Sequence, residues 1–147
     1  MKLFGKRFGV WGLALAAILL HAAFAAAATL TVQTLTEQAP VAKLANQVVC
    51  TSGGDAVPND GNVFLLVSNG DASSHSVSVT PSLTTLNVPG IGQITKATVT
   101  AAIGAGDEAL LGPFPPAVFN NASGQISITY TAVTSMKIMA VRISRTQ

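Results

Sequence analysis

The sequence predicts an all-β fold, a single antiparallel β-sandwich or jelly-roll-like domain of about seven to eight strands after an N-terminal signal helix. The length of 147 residues suits one ordinary domain. Apolar and polar residues alternate with period two in several segments, as in strands with one buried face. Turn residues separate these segments at short intervals, a spacing typical of sandwiches. We therefore divide the chain into a signal segment, 1–28, and a β-sandwich domain, 29–147.

The segment 1–28 has the layout of a secretory signal peptide. A positive start is followed by an apolar stretch, 8–23, and by a cluster of alanines that suits the signal peptidase. The alternative is a retained anchor, because 9–28 is about 20 residues, just long enough to span a membrane. The alanines and the lack of a basic flank after them favour cleavage. We expect a secreted protein, extracellular or at the cell surface, that contacts the membrane only transiently.

Loss of this segment changes the charge. The full chain carries a net charge of +2, and only 10% of its residues are charged. Residues 29–147 contain five basic and six acidic residues, a net charge of −1. The basic residues are scattered along the chain, which argues against the continuous basic surface of nucleic-acid-binding proteins. We therefore expect no nucleic-acid partner.

The predicted strands follow from the local patterns. Alternation predicts strands at 29–33, 75–80, 125–130 and 136–143. The continuous apolar run 63–67 suits a strand covered on both sides. Weaker candidates are 47–50, 94–102 and 108–111. Only 39–49 could form a short helix, and Pro40 disfavours it.

The breaks between these strands contain turn residues. The segments 58–61 and 68–71 are strong turn signals, because Asn and Gly accept positive φ at little cost. The segments 89–92, 104–107 and 120–124 act similarly. Three prolines in 112–116 exclude a central strand and predict an extended crossover or an edge segment.

We find no residue pattern that predicts catalysis or a cofactor. His75 is the one histidine of 29–147, and without a Gly-x-Ser-x-Gly motif a solvated polar position explains it better than a catalytic base. Asp107 and Glu108 are adjacent, so in a strand they point to opposite faces. Three loop aspartates could bind calcium, but their spacing matches no EF-hand and turn formation explains them more simply: Asp55, Asp60 and Asp71. We therefore predict no catalytic residue, no cofactor-binding residue and no metal site.

Three further residues allow two interpretations each. Cys50 is a lone thiol that suits a small buried side chain better than an intermolecular disulfide. Asn121 begins an N-glycosylation pattern in a predicted loop, which matters only in a host that modifies such sites. Tyr130 could belong to a sugar-binding platform, but its alternation with Ile126 and Ile128 favours the core.

Two stretches carry a family resemblance. They are 53–70 (GGDAVPNDGNVFLLVSNG) and 112–120 with 124–130 (GPFPPAVFN and GQISITY). Together they resemble small all-β structural proteins of tailed-phage virions, of the head-associated or decoration kind. The resemblance implies a non-catalytic subunit and no catalytic residues. The signal peptide departs from that group, because phage heads assemble in the cytoplasm, so we expect a cell-surface or extracellular assembly.

The expected function is therefore that of a non-catalytic exported structural protein that forms a homo-oligomer or a surface lattice. The arm 29–36 could add to the sheet of a neighbouring copy, although pairing as the first strand of its own domain is the simpler expectation. The alternative is a secreted binding module for glycans or surface adhesion. An exported hydrolase is the weakest hypothesis, because it would depend on His75 alone.

Overall fold

The computed structural model describes residues 26–144, and within them the chain forms an all-β sandwich. In chain order, the twelve strands of this part are Ala28–Thr29 (β1), Val32–Leu35 (β2), Val48–Val49 (β3), Asp55–Pro58 (β4), Val63–Asn69 (β5), His75–Thr80 (β6), Thr85–Val88 (β7), Gly92–Thr95 (β8), Val99–Ile103 (β9), Glu108–Leu111 (β10), Gln125–Tyr130 (β11) and Met136–Ile143 (β12). Two one-turn helices are Lys43–Asn46 (α1) and Pro116–Phe119 (α2). The predicted all-β class is thus confirmed. Residues 1–25 of the predicted signal segment lie outside the described part.

The strands form two layers and a separate hairpin. The first sheet has the order β1-β4-β11-β6-β9, and the second has the order β10-β5-β12-β2, with β3 also paired to β12. The strands β7 and β8 pair only with each other. We call these three units sheet 1, sheet 2 and the β7–β8 hairpin.

The core lies between the two sheets, where the alternating residues of each strand meet. In β5, Val63, Leu65 and Val67 are buried, while the residues between them are half-buried. Sheet 1 contributes mainly Val57, Val77, Val79, Ile126 and Ile128. Period-two alternation predicts this arrangement, since successive side chains of a strand point to opposite faces.

The N-terminal arm joins the two sheets along one side of the sandwich. β1 pairs in parallel with β4 of sheet 1, and β2 pairs in parallel with β12 of sheet 2. Leu30, between the two strands, is buried, and its N–H donates to the Ala56 carbonyl oxygen at 2.8 Å. The arm therefore pairs within its own chain, and these two parallel pairs depart from the otherwise antiparallel pairing. Because β1 begins at Ala28, the predicted boundary after residue 28 falls inside a strand.

Several elements differ from the sequence-based expectation. The predicted strand 94–102 is two strands, β8 and β9, because residues 96–98 leave the hairpin and enter sheet 1. β4 and β7 are strands that the patterns did not predict, since both are only four residues long and begin or end at turn residues. The short helix considered within 39–49 is reduced to α1, and α2 follows the Pro-rich crossover. Neither helix of the described residues is long and apolar enough to cross a membrane.

Candidate functional site

His75 begins β6, as predicted, but it is not a solvated side chain. Its Nε2 lies 2.8 Å from Oδ2 of Asp71, and only 12% of the His75 side chain is exposed. The hydrogen bond from His75 is the main cause that lowers the pKa of Asp71, and the Ala72 backbone N–H adds to it. The pair closes the loop between β5 and β6, which explains the burial of a polar ring at that position.

A polar cluster lies at the end of the sandwich where β3 passes into β4. The buried Asp55 carboxylate accepts a hydrogen bond from the Tyr130 hydroxyl at 2.7 Å and another from the Thr51 N–H at 3.2 Å, both at Oδ2. Its second oxygen, Oδ1, is buried without a hydrogen-bond partner in the described structure. Tyr130 packs against the core, as its alternation predicts, and its hydroxyl group is directed at Asp55. The cluster fixes the turn that carries the chain from sheet 2 to sheet 1.

Cys50 lies at the same end of the sandwich, and its thiol has low reactivity. Only 3% of the residue is exposed, and its N–H donates to the Met136 carbonyl oxygen. Burial, with the Asp55 carboxylate nearby, raises the pKa of the Cys50 thiol to about 11. Burial also raises the pKa of Tyr130. A thiol that remains protonated at neutral pH is a poor nucleophile, so the geometry favours the interpretation of Cys50 as a buried small side chain.

The three loop aspartates considered as calcium ligands have separate partners. Asp55 is bonded to Tyr130, Asp60 lies 3.2 Å from Nη1 of Arg142, and Asp71 is bonded to His75. The Asn62 backbone N–H and Arg142 lower the pKa of Asp60. In the part of the chain that the structure describes, no three or more His, Cys, Asp or Glu side chains are grouped to hold a metal ion.

The other polar residues singled out in the sequence have local roles. Glu108 forms an ion pair with Lys43, while the Asp107 carboxylate lies at Gly104 in the preceding turn. Asn121 lies in the turn before β11, where its Oδ1 accepts hydrogen bonds from the N–H groups of Ser123 and Gln125.

The middle of the outer face of sheet 2 is apolar and only partly covered, while Glu108, Ser68 and Lys137 lie at one end of that face. Leu110, Leu66 and Met139 are direct cross-strand neighbours on this face, and Phe64 pairs with Val141 beside them. The segment that contains α1 crosses one end of the face. Two contacts hold it there: the Lys43–Glu108 ion pair and a 2.5 Å hydrogen bond from Gln47 Nε2 to Ser68 Oγ.

The opposite end of that face has an exposed apolar surface. Ile143 and its cross-strand neighbour Leu35 are 47% and 37% exposed. Ile143 borders two depressions, one of about 120 Å³ with Phe64 and Pro113 and one of about 340 Å³ with Leu35 and Glu37. We call Leu35, Phe64, Pro113 and Ile143 the Ile143 patch.

The β7–β8 hairpin has a second exposed apolar surface. Leu86 and Ile94 are direct cross-strand partners, so they share one face, and they are 52% and 49% exposed. The other face is polar, since it carries the pairs Thr85 with Thr95 and Asn87 with Gln93. The turn between the strands is tight, because Pro89 and Gly90, with φ of +79° at Gly90, close a hydrogen bond from the Ile91 N–H to the Val88 carbonyl oxygen.

The outer face of sheet 1 differs from both of these surfaces. The side chains on this face of β6, β9 and β11 are mostly small hydroxyl groups: Ser76, Ser78, Thr80, Thr100, Ser127 and Thr129. Ser78 and Thr100 are cross-strand partners whose hydroxyl oxygens lie 2.9 Å apart. Three of the strands of this sheet therefore present an uncharged, hydroxyl-rich surface, as the abundance of Ser and Thr suggests.

Sequence reasoning missed the two apolar surfaces. The alternation of Leu86 with Val88 and the isolated Ile94 was a signal for the hairpin, but each strand is only four residues long. The Ile143 patch had no such signal, because its members are far apart in sequence. Leu35 and Ile143, 108 positions apart, meet only through the pairing of β2 with β12, and Phe64 joins them through the pairing of β5 with β12. No family model matches the chain, and no curated protein or solved structure is significantly similar to it.

Proposed function

We propose that the protein is a non-catalytic, exported structural subunit that assembles with further copies of itself at the cell surface or outside the cell. The observation that carries this proposal is the amount of apolar surface outside the core. Ten large hydrophobic residues of the described part are at least 37% exposed. Contiguous exposed apolar patches on a soluble domain mark interaction sites.

The polar groups of the molecule support the same proposal. Asp71, Asp55 and Glu108, which could in principle serve chemistry, are all engaged in contacts that fix loops or strands. The export part of the proposal rests on the signal-peptide pattern of residues 1–28. The resemblance of 53–70, 112–120 and 124–130 to phage head-associated proteins also supports a subunit of a larger assembly.

The test is the mass of the native protein in solution. The full chain is expressed in a host that exports it, and mass spectrometry identifies the N-terminus, any glycan on Asn121 and the state of Cys50. Light scattering after size exclusion, over a wide range of concentrations, is expected to give a mass that rises above that of one copy. Negative-stain images are expected to contain particles or lattices of repeated units. A strict monomer at the highest concentration would contradict the proposal.

The second candidate function is a binding module for a neutral, hydroxyl-rich ligand such as a glycan. The observation that favours it is the Ser/Thr surface of sheet 1, where Ser78 and Thr100 already interact across the strands. Hydroxyl groups can donate and accept hydrogen bonds with sugar hydroxyls. A glycan array is the direct test, and the absence of any binding would remove this candidate.

A further inference from the structure

Asp55 has a buried carboxylate that the described residues satisfy on one oxygen only. The residue is 2% exposed, and both of its side-chain hydrogen bonds, from the Tyr130 hydroxyl and the Thr51 N–H, reach Oδ2. Oδ1 is buried and has no hydrogen-bond partner in this part of the chain. None of the three ion pairs between described residues includes Asp55. Because a buried carboxylate without a cation is costly, a positively charged donor at Oδ1 would stabilise the fold.

β1 brings the backbone nitrogen of Ala28 next to this residue. In the parallel pairing of β1 with β4, Ala28 lies directly beside Asp55, at the strand spacing of about 4.8 Å. The Ala28 N–H is directed at β4, where it donates to the Gly54 carbonyl oxygen at 3.3 Å. Ala28 is half-buried, whereas Ala27 and Thr29 on either side of it are exposed. The Ala28 nitrogen is therefore well placed to supply the donor that Asp55 lacks.

The sequence offers a signal-peptidase site at this position. The enzyme selects small residues at the first and third positions before the bond that it cuts. Ala25 and Ala27 meet that requirement for the Ala27–Ala28 bond. Hydrolysis of this bond consumes one water, leaves a carboxylate on Ala27 and converts the Ala28 amide nitrogen into an ammonium group.

We propose that signal peptidase cuts the Ala27–Ala28 bond and that the new ammonium group of Ala28 pairs with Oδ1 of Asp55. This inference rests on the export part of the proposed function, because the cut requires that the chain enter the export pathway. One N–H of the ammonium group keeps the bond to Gly54. The other two are free to reach Asp55, because no peptide plane fixes them. The carboxylate thus gains a charge-assisted hydrogen bond that an amide at Ala28 cannot supply.

The neighbouring cleavage sites would place the ammonium group elsewhere. A cut two residues earlier would leave it on Ala26, which is exposed and precedes β1. A cut one residue later would leave it on Thr29, whose register partner is Ala56. Of these three starts, only Ala28 places the positive charge directly beside Asp55.

The first test is the N-terminus of the exported protein. The full chain is expressed in a host that exports it, and N-terminal sequencing is expected to give Ala28 as the first residue. A start at Ala26 or Thr29 would overturn the inference and leave the proposed function standing. An uncut chain would also overturn the inference, and an uncut chain that stays in the cytoplasm would contradict the proposed function as well.

The second test measures what the ammonium group does. Ala27→Leu places a large residue directly before the bond, so the cut moves to a neighbouring site and the protein starts at Ala26 or Thr29, which its mass identifies. In chemical denaturation, the unfolding equilibrium constant of this control is expected to be about tenfold or more higher than that of the protein that starts at Ala28.

Asp55→Asn is the matched control for the carboxylate, because it keeps an oxygen acceptor for Tyr130 and removes the negative charge. In this background the two starts are expected to have unfolding constants within about twofold of each other. An equal tenfold difference in both backgrounds, or no difference in either, would overturn the pairing. If Asp55→Asn does not fold, the rate at which acetic anhydride modifies the α-amino group replaces it. The start at Ala28 is expected to react about tenfold more slowly than the Ala27→Leu control, and equal rates would overturn the pairing.

Discussion

At the scale of single residues, the asparagines of the predicted turns have a role that composition does not reveal. Asn59 and Asn69 were expected to help the chain adopt positive φ, but neither has a positive φ, and the positive φ near Asn59 belongs to Gly61. Asn69 is instead buried, and its Nδ2 donates to the carbonyl oxygens of Ser73, Ile103 and Gly104. These side chains satisfy backbone groups that the loops leave unpaired, which is the general requirement for buried polar groups.

The Asp55–Tyr130 pair leads to a stability prediction at the same scale. Tyr130→Phe removes the hydroxyl donor and leaves a buried carboxylate with only the Thr51 N–H, so we expect the free energy of unfolding to fall by about 1–3 kcal/mol. Chemical denaturation measures this change. In an Asp55→Ala background, Tyr130→Phe should lower the free energy of unfolding much less. An equal loss in both backgrounds would contradict a specific interaction between Asp55 and Tyr130.

The Asp71–His75 pair predicts a pH dependence. The pKa of Asp71 is lowered from its ordinary value of 3.8, chiefly by the hydrogen bond from His75. A lowered carboxyl pKa stabilises the folded protein at pH values above the ordinary pKa. This stabilisation is lost as the pH falls through the lowered pKa. Thermal unfolding from pH 6 down to acid should therefore show a smaller decline for Asp71→Asn than for the unchanged protein. An identical decline would contradict this assignment.

At the scale of elements, the turn before β4 depends on a glycine whose φ and close surroundings both disfavour a side chain. Gly54 has φ of +86°, and a Cβ built there would lie 2.6 Å from the Ile128 carbonyl oxygen. Gly124 has a similar φ of +74° but open space around it. We expect Gly124→Ala to lower the free energy of unfolding by about 1 kcal/mol and Gly54→Ala to lower it by about 3 kcal/mol. The difference arises because only Gly54→Ala adds a clash with a neighbouring strand. Equal losses in chemical denaturation would show that the clash is relieved at little cost.

The elements also show how far the sequence alone can predict this fold. The bounds of β6, β11 and β12 follow from alternation, because each covers the core with every second side chain, and β10 matches the weaker candidate 108–111. β4 could not be predicted in this way, since Asp55 and Pro58 are atypical strand residues and the strand depends on its pairing with β11. The two apolar surfaces escaped prediction for the same reason, because tertiary contacts decide which apolar residues stay exposed.

At the scale of the whole molecule, the N-terminal arm closes one side of the sandwich, and this contribution can be measured. A chain that begins at Thr29 loses Ala28, including the hydrogen bond from its N–H to the Gly54 carbonyl oxygen, but keeps β2 and the buried Leu30. A chain that begins at Thr36 loses both arm strands and the buried Leu30. We expect the chain that begins at Thr29 to have the same free energy of unfolding as a longer chain that begins at Ala26. For the chain that begins at Thr36 we expect this free energy to fall by at least about 3 kcal/mol. Similar stability of the two would contradict a structural role of the arm.

The pairing of β2 with β12 also sets the order in which the molecule can fold. Thr34 and Arg142, which share a 3.1 Å hydrogen bond, are 108 positions apart. The arm leaves the ribosome among the first residues of the domain, but its partner strand leaves among the last. Contacts of such long sequence separation form late and slow the folding of the chain. The sandwich can therefore be completed only after the whole domain has emerged, because β2 has no partner strand until β12 is available.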